Sequence, residues 1–124
     1  ESRLITVDFI TRINSGMPWE FRAETRQVKV HPGQLSQVNF YVRNPANTDI
    51  VGQAVPSVSP GPAAIYMNKT ECFCFEQQKL KAGEEVMMPM QFYVDPQLPD
   101  DITYLTGQYT LYNVTASQDV VGMN

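Results

Sequence analysis

A chain of 124 residues with 43% hydrophobic and 18% charged side chains has enough apolar material for one packed core and the length of one domain. Nine prolines and seven glycines among many Val, Thr, Tyr and Phe residues argue against a bundle of long helices, because they break the chain into short extended segments. Nine Lys and Arg against thirteen Asp and Glu give a formal charge of -4, the wrong sign for gripping a phosphate backbone, so nucleic acid is not an expected partner.

In chain order, residues 4–11 alternate, with Ile5, Val7 and Phe9 on one side, and residues 27–30 put Val28 and Val30 on a common face. Both patterns predict half-buried strands. His31, Pro32, Gly33 and Gln34 form a turn by composition, since proline presets one φ and glycine accepts the positive φ that follows it. Residues 37–43 then place Val38, Phe40 and Val42 on one face and Asn39, Tyr41 and Arg43 on the other. Asn44-Pro45-Ala46-Asn47 ends that strand.

Residues 49–58 read as a strand weakened by Gly52 and Pro56, and Ser59-Pro60-Gly61-Pro62 is a loop. A strand over residues 70–75 follows. A turn over residues 81–84 leads into residues 86–94, where Met88, Met90, Phe92 and Val94 share a face, and the last strand covers residues 103–114. The pattern predicts an all-β chain, an immunoglobulin-like β-sandwich of about seven strands. One immunoglobulin-like domain is expected over residues 1–114, with a loose polar tail over residues 115–124. The longest apolar run, residues 86–94, is broken by Pro89 and Gln91 and falls short of the roughly 20 residues that cross a bilayer. The chain starts at Glu1 with no charged and apolar leader, so it is expected to be a processed piece of something longer.

Two cysteines, Cys72 and Cys74, flank Phe73, and Phe75 follows. On a strand, a period of two sends both sulfurs to one face and both rings to the other. The two Cα atoms would stand about 6.6 Å apart with parallel Cβ vectors, which disfavours a relaxed disulfide. Two parallel soft thiolates suit a low-coordinate soft metal, and Cu(I) is the biological ion of that kind. Zinc needs two more ligands, which a second chain could provide. The plain alternative is that both cysteines are small buried hydrophobes. Core-facing Phe73 and Phe75 would turn them away from the core, unless the strand is buried on both faces.

Other residues carry weaker signals. Met67 has a thioether suited to Cu(I), but methionine is more often core filler, and Met87, Met88 and Met90 read as strand packing. His31 is the chain's single histidine and lies in a turn, so no catalytic residue is assigned and enzymatic activity is not expected. Lys69 precedes the cysteines and could lower a thiol pKa. Trp19 is expected to anchor the core or its edge.

The run from Tyr66 through Cys72, Phe73, Cys74 and Phe75 to Gln78, followed by Leu80, Ala82-Gly83-Glu84 and Met88-Pro89, resembles the CtaG-type copper chaperones of cytochrome c oxidase assembly. Asn14-Ser15-Gly16-Met17-Pro18-Trp19-Glu20-Phe21 is similar to that family's N-x-G-x-P-W-x-F segment. Pro32-Gly33 resembles its P-G turn, and Phe92-Tyr93-Val94-Asp95-Pro96 its strand end. The chain departs from the family pattern at Met67, Thr70 and Met90-Gln91.

The resemblance implies an immunoglobulin-like domain that holds Cu(I) on Cys72 and Cys74 and supplies the CuB site of cytochrome c oxidase subunit I. It also implies an upstream copper donor protein and a membrane anchor ahead of this segment. The domain would then lie on the periplasmic side of a bacterial inner membrane or in the mitochondrial intermembrane space. The family's further cysteine near its membrane helix has no counterpart here. Paired copies would offer four thiolates to two Cu(I) ions, so a copper-bridged homodimer is expected. Competing with this reading are a thiol-disulfide redox protein and a sandwich interaction module without metal.

Overall fold

The computed structural model describes residues 3–72 and 76–115. Its strands form where the sequence alternates. In β1 (Ile5–Ile13), Ile5, Val7 and Phe9 are buried, and in β4 (Ser36–Arg43) Val38, Phe40 and Val42 are buried. Met88, Met90, Phe92 and Val94 do the same in β8 (Glu85–Val94), as do Leu105, Tyr109 and Leu111 in β9 (Tyr104–Asn113). Each sheet thus has one apolar face, and the two faces close on each other.

The other strands are β2 (Glu20–Ala23), β3 (Gln27–Val30), β5 (Ile50–Ser59), β6 (Met67–Glu71) and β7 (Gln78–Leu80). One sheet runs β3-β1-β9-β5-β7 and the other β2-β4-β8-β6. The chain is therefore an all-β, immunoglobulin-like sandwich, with β1 and β9 parallel and the remaining pairs antiparallel. Nine strands stand among the described residues where the sequence pattern predicted about seven. The two extra ones, β2 and β7, are short, with four and three residues.

The expected turn at His31 is present. Gln34 N–H donates to His31 C=O at 3.0 Å, and Gly33 adopts φ 82, which a side chain would strain. The core is aromatic at its centre. Phe9 packs edge-on to Phe40 and Phe92 with ring centroids 6.0 and 5.6 Å away, and Tyr109 lies 5.2 Å from Phe40. Trp19 is buried over Gly52, as a core anchor. No helix among the described residues is long and apolar enough to cross a membrane.

Strand order places the cysteine segment. β6 is an edge strand of one sheet and β7 an edge strand of the other. Glu71, at the end of β6, and Gln78, at the start of β7, therefore stand at edges of opposite sheets.

Candidate metal centre

β6 pairs with β8 in the register Met67 to Val94, Asn68 to Tyr93 and Lys69 to Phe92, and then Glu71 to Gln91. Thr70 is the extra residue of a β-bulge, and its hydroxyl reaches Gln91 C=O at 3.4 Å. The bulge shifts the phase of everything after it. Met67 faces inward, and Cys72, five residues later, is also buried, at 6% exposure within the hydrophobic core.

Three expectations are corrected at this point. The strand predicted over residues 70–75 occupies Met67–Glu71, so Cys72 lies just past its end. Cys72 does not sit on an outward strand face, because the bulge reversed the alternation on which that expectation rested. The disfavoured disulfide is also present, since Cys72 is disulfide-bonded. Cys74, the chain's other cysteine, lies outside the described residues, as do Phe73 and Phe75.

Cys72 opens into a groove of about 440 Å³ lined by Glu71 at the end of β6, by Gln78, Lys79 and Leu80 of β7, and by Val86 to Pro89 of β8, with Glu84 at its end. Asn44, fully buried, holds the β7 wall in place. Its Nδ2 donates to Leu80 C=O at 3.1 Å, Lys81 C=O at 3.2 Å and Thr48 C=O at 2.9 Å, while Oδ1 accepts from Ala46 N–H at 3.1 Å. Those bonds join the end of β4 to the start of β5 and the turn after β7. No sequence motif marks Asn44 for this role, because its partners are distant carbonyls.

The methionines divide. Met67, Met88 and Met90 are buried core residues, whereas Met87 is 48% exposed and lines the groove with Cys72. The expectation that Met87 packs in the strand is therefore corrected: one residue along β8 from Met88, it falls on the opposite face.

Lys69 lies opposite Phe92 on the inward side of the edge strand, and partial burial holds its pKa below the usual lysine value. An inward lysine on an edge strand discourages pairing with another sheet. His31 is remote in sequence from the groove residues, and its Nδ1 donates to Arg3 C=O at 2.8 Å. Among the described residues no three His, Cys, Asp or Glu side chains cluster as a metal site. The groove brings the Cys72 sulfur together with the Met87 and Met88 thioethers beside the Glu71 and Glu84 carboxylates, and the soft sulfurs suit Cu(I) better than a harder ion.

A model of the family described as cytochrome c oxidase assembly protein CtaG/Cox11 matches residues 1–113. The chain is similar to cytochrome c oxidase assembly protein ctaG of Reclinomonas americana, 39% identical over 119 residues, covering 92% of this chain and 65% of the relative. The mitochondrial cytochrome c oxidase assembly protein COX11 of Saccharomyces cerevisiae is 42% identical over 97 residues, covering 78% and 32%. CtaG of Roseobacter denitrificans is 37% identical over 120 residues, covering 93% and 62%. The chain thus spans between about a third and two thirds of the length of these relatives.

Proposed function

This chain belongs to the CtaG/Cox11 family, and from that premise we propose that it is an oxidase assembly factor that carries Cu(I) on Cys72 and Cys74 and delivers it to the CuB site of cytochrome c oxidase subunit I. The observation that carries the reading is the placement of Cys72 in a groove that also holds thioethers. Soft sulfur donors gathered in a recess favour Cu(I) over a harder divalent ion.

The disulfide at Cys72 must open first. Two electrons and two protons from a dithiol reductant convert it to two thiols. Cu(I) then replaces the thiol protons, which pass to solvent, with no change in the oxidation state of the metal. An upstream copper donor protein supplies the ion. Two copies could share two Cu(I) ions through four thiolates, and sedimentation with and without Cu(I) tests that pairing. In the same reading the domain is tethered to a bacterial inner membrane or its mitochondrial equivalent, on the side where the CuB site is loaded.

Anaerobic titration of the reduced protein with Cu(I) against a competing chelator tests the proposal. Tight uptake of Cu(I) that is lost in both Cys72→Ser and Cys74→Ser is the expected result. The disulfide favours a second reading, a thiol-disulfide redox protein. Failure of the reduced protein to compete for Cu(I), together with ready exchange with a dithiol, would decide for that alternative.

A further inference from the structure

Met87 is the exposed methionine of the groove, and the backbone explains why its surroundings are open. Asn44 N–H donates to Glu84 C=O at 2.8 Å, so even-numbered residues of β4 turn their peptide groups toward even-numbered residues of β8. Glu24 N–H donates to Asn39 C=O at 2.9 Å, so odd-numbered residues of β4 turn toward β2 instead. In an antiparallel ladder the partner residues alternate in step. Met87 and Pro89, opposite Tyr41 and Asn39, therefore direct their peptide groups away from β4 and toward the β6 side of β8.

β6 does not extend that far. Its pairing with β8 ends at Glu71 and Gln91, and no strand among the described residues pairs with this edge at Met87. Pro89 has no N–H to offer there, which hinders a strand from zipping along the edge and filling the groove. On the β4 side Tyr41 faces Met87 across the ladder, with its ring covered by the Arg22 guanidinium at 4.0 Å. The thioether is thus flanked by a capped aromatic ring and open toward the groove that contains Cys72.

We propose that Met87 is the receiving ligand of the groove, a thioether that takes Cu(I) from a donor and passes it to Cys72. This rests on the copper reading above. A neutral thioether binds Cu(I) but holds it less firmly than a thiolate, which suits a way-station. In the first exchange the Cu(I) bond to a donor sulfur breaks as the bond to Met87 Sδ forms. In the second, Cys72 Sγ displaces Met87 and its proton leaves to solvent. Cu(I) stays Cu(I) throughout.

The test uses the reduced chain with its six methionines labelled at the methyl carbon, Met87 being assigned from the Met87→Leu variant. At substoichiometric Cu(I), added anaerobically as an acetonitrile complex, the Met87 methyl signal is expected to shift or broaden while those of buried Met67 and Met90 stay put. Stopped-flow transfer from a Cu(I)-chelator complex should be about tenfold slower in Met87→Leu, with affinity unchanged within about twofold, a change in barrier without a change in equilibrium. Cu(I) uptake with an unmoved Met87 signal, or with an unchanged transfer rate, overturns this inference alone. No Cu(I) uptake by the reduced wild-type protein overturns it together with the copper reading.

Discussion

Met67 and Cys72 are buried in one core, at 4% and 6% exposure, although the five residues from one to the other would set them on opposite faces of an unbroken strand. Thr70 reconciles the two. As the unpaired residue between Lys69, opposite Phe92, and Glu71, opposite Gln91, it absorbs one step of the alternation.

Deleting Thr70 should therefore leave Cys72 inward, because Lys69 and Glu71 then become consecutive in the same register. In the reduced, native protein the deletion is expected to keep Cys72 as slow toward a thiol reagent as in the parent. A straighter β6 should also pair more readily with a second copy, visible as concentration-dependent association. A strongly reactive Cys72 in the deletion variant would show that the bulge does not set its facing.

Cys72→Ser, compared under reducing conditions, should cost about 1–3 kcal/mol, since it buries a hydroxyl among apolar neighbours. Cys72→Ala should cost less. Urea melts of the three proteins provide the comparison, and equal midpoints for Ser and wild type would place the sulfur in contact with water.

Gly52→Ala should destabilise the fold by about 1–3 kcal/mol through overpacking. A Cβ at this position would stand 2.6 Å from Trp19 Cζ3 and 2.8 Å from Cη2, inside the van der Waals limit. A lowered urea midpoint with an unchanged slope is the expected signature, and an unchanged midpoint would mean that the indole shifts without cost.

Tyr109 gives the fold an alkaline limit. Its hydroxyl donates to Met90 Sδ at 2.8 Å, and burial raises its pKa well above the ordinary 10.0. The folded state keeps a proton that the unfolded chain releases, so this contribution is complete below pH 10.0 and is lost as pH rises toward the folded value. The slope in that window is about 1.4 kcal/mol per pH unit. Lys69, with a lowered pKa, acts in the opposite direction, but it is common to both proteins in a comparison of wild type with Tyr109→Phe. Urea melts at pH 9 and 11 should show a smaller loss for Tyr109→Phe. Equal losses would assign the alkaline sensitivity elsewhere.

Alternation in β1, β4, β8 and β9 made the sandwich legible, because half-buried strands must place apolar residues at every second position. The Pro32-Gly33 turn was legible for a similar local reason, since few residues accept its backbone angles. Cys72 was legible as a soft donor from its type alone. Its facing was not, because a bulge is a relation between β6 and β8 and leaves no mark at Thr70 itself. Nor was the groove: Asn44 sets one wall by bonding to carbonyls 36 and 37 residues away, and Met87 lies open because β6 ends opposite Gln91. Residue chemistry and short-range period are properties of the chain, and they determined the fold class and the choice of sulfur. Which sulfur is buried and which is open depends on register between strands distant in sequence, and only the tertiary structure decided it.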